Sequence, residues 1–211
     1  CQQTQLNHLC LSGGVALNCS LNGKIEQARL FDEIFVQPAS GDAGVAIGAC
    51  YLGYKAHNRD LKPQKMHNFY LGSSASDQEV EQVFLERNLL PERIDNLFKV
   101  TAERLADGKI VGWFQGGAEF GPRALGNRSI LYKATEPDVN QWLNDRLGRS
   151  EFMPFAPATR IEDAESCYKD FHGGREAAHY MAMTFDCTEA MRRESPAAVH
   201  VDGSARPQII R

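Results

Sequence analysis

The chain has 211 residues, 43% of them hydrophobic, and a formal net charge of −4 at pH 7. This is room for one large domain or two small ones with a proper core. The mild acidic balance supplies no global basic field, which argues against nucleic acid or an anionic membrane surface as a partner. No apolar run approaches the roughly 20 residues that cross a bilayer, and no signal-peptide pattern is present. The six cysteines, at positions 1, 10, 19, 50, 167 and 187, form no CxxC pair and no metal-finger spacing with histidines. They are expected to be reduced, in a cytoplasmic protein.

In chain order, residues 8–12 read as a short buried strand running into Gly13-Gly14, with a helix expected from about Val15. A second strand, Ile34-Phe-Val-Gln37, ends at Pro38. Ser40-Gly-Asp-Ala-Gly44 then opens a small-residue helix through Tyr54, expected to pack closely on a neighbouring sheet or helix. Strand, glycine turn and helix, twice over, is the α/β pattern. The polar stretch 55–65, interrupted by Pro63, reads as an inter-domain connection.

Beyond it, Ser76-Asp-Gln-Glu79 predicts a capping box, followed by an apolar stripe of Val80, Val83 and Phe84. A helix over about 102–107 is expected to end at Gly108. Residues 109–114 and 129–132 predict a strand and its return strand around a loop rich in glycine and arginine. Thr135-Glu-Pro-Asp138 starts a helix bearing Val139, Trp142 and Leu143. Residues 171–179 read as a loop, and 180–185 and 198–201 as strands. The chain opens on Cys1 rather than Met and stops within a further strand pattern at 207–211, so it is read as a fragment of a longer protein.

The chemistry-bearing residues sit at the turns. A strand ending in Gly13-Gly14 at a helix start presents free N–H groups and a positive dipole end, which suits a phosphate or ribose; a tight turn without ligand fits equally well. Asn18, one turn on, is in reach of a hydroxyl or base edge. Gly41-Asp-Ala-Gly44 has the same shape, and alone Asp42 reads as a helix cap. Two such turns together are what the actin and sugar-kinase type of ATP-binding lobe uses, where a turn aspartate can bind a metal.

In Gly121-Pro-Arg-Ala-Leu-Gly-Asn-Arg128 two arginines lie in a loop shaped by glycine and proline. Their forked donors match phosphate and carboxylate. Arg149 precedes a proline-stiffened apolar segment, 152–157. In His200-Val-Asp-Gly-Ser-Ala-Arg206, Asp202-Gly203 reads as a turn, with Asp202 able to orient Arg206 and His200 able to titrate near neutrality. No Walker A, GxSxG or HExxH pattern occurs.

The strings LSGGVALN, SGDAGVAIGA, GWFQGGAEFGPRALGNRSIL, GRSEFMPFAP and HVDGSARPQ, in this order over nearly the whole chain, resemble the O-carbamoyltransferases that decorate antibiotics and nodulation factors. The resemblance implies an α/β fold in two parts. Residues 1–60 would end an actin-like (ASKHA-type) lobe, and 66–211 would form most of a C-terminal domain similar to the threonylcarbamoyl-adenylate synthase fold. It also implies that carbamoyl phosphate and ATP yield carbamoyl adenylate, whose carbamoyl group passes to the hydroxyl of a small-molecule acceptor.

By the same resemblance Arg123, Arg128 and Arg149 are catalytic, acting on carbamoyl phosphate or its adenylate. Ser12, Gly13, Gly14, Asn18 and Gly41 bind the nucleotide, and Asp42 is a metal ligand for iron or else magnesium. The sequence does not fix the oligomeric state, and a homodimer stays open. This chain departs from the family pattern in several places. The family's metal-binding histidine pair precedes residue 1, Gly117 and Leu147 stand where many relatives carry Arg and Lys, and an Asn-Thr-Ser-Phe-Asn segment is missing. An inactive isolated fragment is therefore expected, and a non-catalytic nucleotide-binding or regulatory module of the same fold stays open. A sugar- or acetate-kinase relative would account for the first part only.

Overall fold

A computed structural model describes residues 4–60, 62, 66, 68–148 and 155–211. The chain divides into two compact units, one of Cys1–Lys65, Gly121–Arg123 and Ala134–Arg211, the other of Met66–Phe120 and Ala124–Lys133. Each is a mixture of helices and small sheets.

The first unit begins with β1 (His8–Leu11), which pairs in parallel with β2 (Glu33–Val36), Leu11 opposite Val36. Because the strands are parallel, both end at the same edge, and the turns that follow them become neighbours. Between the strands, the expected single helix is split into a 3₁₀ turn, Gly14–Leu17, and α1 (Cys19–Gln27). The break falls at Asn18, whose side chain caps α1 by accepting from the Leu21 N–H at 3.0 Å.

After β2 the chain enters α2 (Asp42–His57). Contrary to the expectation of close packing, no residue of α2 is buried, and Gly48 and Gly53 face open space. Close approach is confined to Gly44, where a Cβ would lie 2.0 Å from the Ala39 carbonyl oxygen. β1 likewise alternates between exposed and half-buried rather than lying buried.

In the second unit, residues 69–73 run alongside 118–120, with Phe120 N–H donating to the Phe69 carbonyl and Gly72 N–H to that of Ala118. The predicted capping box opens α3 (Asp77–Glu86), although its Val80-Val83-Phe84 stripe is not buried. α4 (Leu97–Ala106) starts earlier than expected and ends before Gly108, whose φ of +72° is the left-handed stop anticipated there. β3 (Val111–Phe114) and its return strand β4 (Arg128–Leu131) pair antiparallel across the loop 115–127.

The chain then returns to the first unit through α5 (Val139–Arg146), β5 (Ala158–Arg160), α6 (Ala164–Cys167), α7 (Arg175–Ala178), β6 (Phe185–Asp186), α8 (Glu189–Glu194), β7 (Ser204–Ala205) and β8 (Gln208–Ile210). β5 pairs with β8 in parallel and β6 with β7 antiparallel. The expected strand at 180–185 shrinks to its last residue, and 198–201 is the end of a 3₁₀ turn followed by a tight turn. At 180–182 the cause is a left-handed residue and two side chains distant in sequence. Met181 adopts a φ of +54°, and the carbonyls of residues 181 and 182 accept from the side chains of Arg123 and Asn22 instead of a neighbouring strand. α7 occupies part of the predicted loop at 171–179.

The core joins Ile34 and Val36 of β2 to Tyr168, Phe171, Phe185 and Ile209. Phe171 and Phe185 meet edge-on, 5.1 Å between centroids, an arrangement worth about 0.5–1.5 kcal/mol beyond burial. The buried Tyr168 hydroxyl is satisfied by Thr159 at 2.7 Å. These contacts seat the end of β2, and so the turn after it, on the C-terminal half of the chain.

Two helical glycines give opposite expectations. Gly48→Ala fills open space and should stabilise by about 0.5–1 kcal/mol through the unfolded state. Gly44→Ala meets a backbone oxygen and should destabilise by about 1–3 kcal/mol. The urea midpoints of the two variants check both signs.

Candidate functional site

The parallel pairing of β1 and β2 sets two glycine turns side by side, at the place where open α/β sheets receive ligands. Gly13, at a φ of +101° that suits glycine, donates its N–H to the Ser40 carbonyl at 2.7 Å. A Cβ on Gly41 would touch Leu17 Cδ1 at 3.4 Å, whereas around Gly13 and Gly14 the space is open. Ser12, Gly13, Gly14, Asn18 and Asp42 are exposed along this rim. Gly41 caps α2 with no side chain, which leaves the first N–H groups of a 16-residue helix available. Asn18 Oδ1 is committed to capping α1, so only its amide nitrogen can serve a ligand.

A third segment closes on these turns. A Cβ on Gly121 would lie 3.2 Å from the Pro38 carbonyl oxygen, and Arg123, two residues on, is half-buried. Its Nε donates to the Met181 carbonyl at 2.8 Å and one Nη to the Leu17 carbonyl at 3.0 Å. Burial holds the Arg123 guanidinium below the ordinary arginine value, the neighbouring Arg206 charge adds to this, and the Cys19 side chain opposes it. No carboxylate pairs with Arg123 or Arg206 among the described residues. The Arg206 Nε is buried without a hydrogen-bond partner there. Two neighbouring guanidiniums without a counter-charge among the described residues have the chemistry to receive an anion.

Arg206 is the residue that the sequence reading treated as an appendage of Asp202. Asp202 instead accepts from the Ser204 N–H at 3.0 Å and its hydroxyl at 2.7 Å, closing the turn. The signal available in the sequence was Arg206 itself, immediately before Pro207 and a strand.

Arg128 lies in the second unit. Its two Nη atoms donate to the carbonyls of Gln115, Asn127, Ser73 and Gly116 at 2.6–3.1 Å, and its guanidinium lies 3.7 Å from the Phe114 ring centroid. Of the five N–H groups of an arginine, this leaves Nε–H. Arg128 is thus a brace that also carries a fixed positive charge. Gly117 is explained by its neighbours: a Cβ there would sit 2.7 Å from the Tyr70 carbonyl oxygen, so any side chain requires the backbone to move. Leu147 is exposed, and Arg146 lies over the Trp142 ring at 4.9 Å. Arg149 falls outside the described residues.

For a metal, Asp42 offers one exposed carboxylate, and among the described residues no group of three or more His, Cys, Asp or Glu side chains could hold an ion. Cys10, Cys19, Cys50, Cys167 and Cys187 are free thiols, and burial pushes that of Cys187 up to about 11. Among the described residues no helix is long and apolar enough to cross a membrane.

Two family descriptions match this chain: "Carbamoyltransferase N-terminus" over residues 1–51 and "Carbamoyltransferase C-terminus" over residues 102–211. The chain belongs to the carbamoyltransferase family. Nodulation protein NolO of Bradyrhizobium diazoefficiens is 37% identical over 211 residues, covering 98% of this chain and 38% of that protein. Nodulation protein NolNO of Sinorhizobium fredii is 39% identical over 214 residues, covering 98% and 31% respectively. Nodulation protein U of Bradyrhizobium diazoefficiens is 34% identical over 203 residues, covering 96% and 33%. The chain therefore spans about a third of the length of these relatives.

His200 lies within electrostatic reach of Arg206. Burial pushes its ionisation down, Asp202 resists, and the Arg206 charge adds to the depression. Its imidazole should titrate below 6.5, read from its ring nitrogen shifts. Below 6.5 the unfolded chain binds the proton first, so the first unit should lose stability as pH falls from 6.5 through the folded value, with no contribution from His200 above pH 6.5.

Proposed function

We propose that the chain is the part of a carbamoyltransferase that binds the anionic reactants, in a protein that makes carbamoyl adenylate from carbamoyl phosphate and ATP and passes the carbamoyl group to an acceptor hydroxyl. The observation that carries this reading is the Arg123–Arg206 pair, unneutralised by any described carboxylate and adjoining two glycine turns. Carbamoyl phosphate would first lose its phosphate to water as inorganic phosphate, giving carbamate. A carbamate oxygen would then attack the α-phosphorus of ATP as the α–β bridge breaks and pyrophosphate leaves, and pre-placed guanidiniums stabilise the negative oxygens gathered there.

In this scheme Arg123 contributes a charge whose position is fixed by two carbonyls. Arg128 and Arg149 are likewise assigned catalytic roles toward carbamoyl phosphate or its adenylate. Ser12, Gly13, Gly14, Asn18 and Gly41 hold the nucleotide through backbone N–H groups and short side chains. Residues 1–60 are taken as the end of an actin-like lobe and 66–211 as the adenylate-forming domain, in a cytoplasmic enzyme able to form a homodimer. Asp42 is assigned as one ligand of a divalent ion, iron or magnesium. The described residues supply no further ligand, so no step is routed through that ion.

Gly117 favours a second reading, a module that binds nucleotide without turnover. The site lacks a cation that many relatives carry, and the Tyr70 carbonyl fills the space where its Cβ would be.

Carbamoyl phosphate-dependent exchange of pyrophosphate into ATP, measured on the intact protein, separates the two. The enzyme reading expects exchange in the wild type and a loss of roughly 10²–10³-fold in Arg123→Ala, with Arg206→Ala comparably impaired. Normal exchange in both variants refutes the site assignment. Nucleotide binding without exchange in the wild type supports the non-catalytic module.

A further inference from the structure

The loop joining β3 to β4 reverses direction over 13 residues, 115–127, yet its conformation is held by charged groups that do not pair with each other. Glu119 Oε1 accepts from the backbone N–H of Leu125 at 2.7 Å, Asn127 at 2.9 Å and Arg128 at 3.1 Å. Arg128 does the converse, gathering four carbonyls, three of them from Gln115, Gly116 and Asn127 of the same loop. Among the described ion pairs none joins the two. The acid organises the loop's donors and the base its acceptors. Charge-assisted bonds of this kind are about twice as strong as neutral ones. Burial works to raise the Glu119 carboxyl, and the three amides outweigh it, leaving the group below the ordinary carboxylate range.

Neighbouring side chains complete the lacing. Asn127 Nδ2 donates to the Gly117 carbonyl at 2.7 Å, and the Tyr70 hydroxyl to the Leu125 carbonyl at 2.8 Å. Leu125 is 5% exposed and Asn127 8%, so water has little access to compensate their amides when Glu119 releases them. The glycines at 116 and 126, with φ of +50° and +98°, allow the bends that bring the amides of 125, 127 and 128 to one oxygen.

We propose that Glu119 is the positioning residue of this loop: by collecting three backbone N–H groups, its carboxylate sets the course of the chain from Leu125 to Arg128 and so the place where the Arg128 charge is presented. The part concerning catalysis rests on the carbamoyl-transfer reading above; the part concerning the loop does not. Glu119→Gln keeps the shape and one acceptor oxygen but removes the charge that three donors share.

Two readouts test it. In the wild-type chain, through-hydrogen-bond couplings should connect the amide nitrogens of Leu125, Asn127 and Arg128 to the Glu119 carboxylate carbon, and their absence overturns the proposal without any variant. In Glu119→Gln these three amides should exchange at least tenfold faster while those of the β3–β4 ladder are unchanged; uniform acceleration through the unit would mean a general structural role and overturns it. In the intact protein the variant should lose tenfold or more in kcat for pyrophosphate exchange, with KM for ATP moving less than threefold. A wild-type kcat despite loosened amides overturns the positioning role. A wild type without exchange activity counts against the carbamoyl-transfer reading and leaves the amide measurements to decide the loop.

Discussion

One guanidinium holds the candidate site in shape. Arg123 spans the Leu17 carbonyl, at the end of the first glycine turn, and the Met181 carbonyl, in a turn from the far end of the chain. Its neighbour Gly121 rests on Pro38 and Ala39, before the second glycine turn. Segments separated by more than a hundred residues are thereby fixed around one charge. The arrangement depends on Met181 keeping a left-handed backbone. That conformation costs a non-glycine residue of order 1 kcal/mol, and the buried Asn22, which donates to the carbonyls of Ala16 and Ala182, helps to impose it.

The electrostatics follow from what is missing around that guanidinium. Elsewhere in the first unit arginines face acids: Arg29 meets Asp170, Arg160 meets Asp163, and Arg175 meets Glu165. These pairs are largely exposed and contribute little. Arg123 and Arg206 have each other and no described carboxylate. Folding therefore maintains a repulsion that an anion would relieve, at the edge where two parallel strands end.

Much of this was legible in the sequence because local rules decide it. The capping box at Ser76, the glycine stop at Gly108, the two parallel strands and the antiparallel return at 128–131 all follow from spacing and turn chemistry. Burial was less legible. The small-residue helix 42–57 reads as closely packed and buries nothing, because small side chains permit packing without requiring it. The strand expected at 180–185 failed because Arg123 and Asn22 take its carbonyls, and long-range side-chain contacts leave no trace in a local pattern. In the site, the glycines and Arg123 announced themselves by motif. Glu119 and Arg206 did not, since a carboxylate serving backbone amides and an arginine selected by its neighbour look, in sequence, like ordinary surface charges.

The central claim is that Arg123 and Arg206 jointly form an anion site next to the glycine turns. Its most direct test is the arginine Nε–H spectrum of the chain titrated with AMP. The account predicts saturable shifts of the Arg123 and Arg206 resonances with one binding constant, while those of Arg29 and Arg175 stay in place. Saturating nucleotide that leaves both signals unmoved, or that moves all four alike, would contradict it.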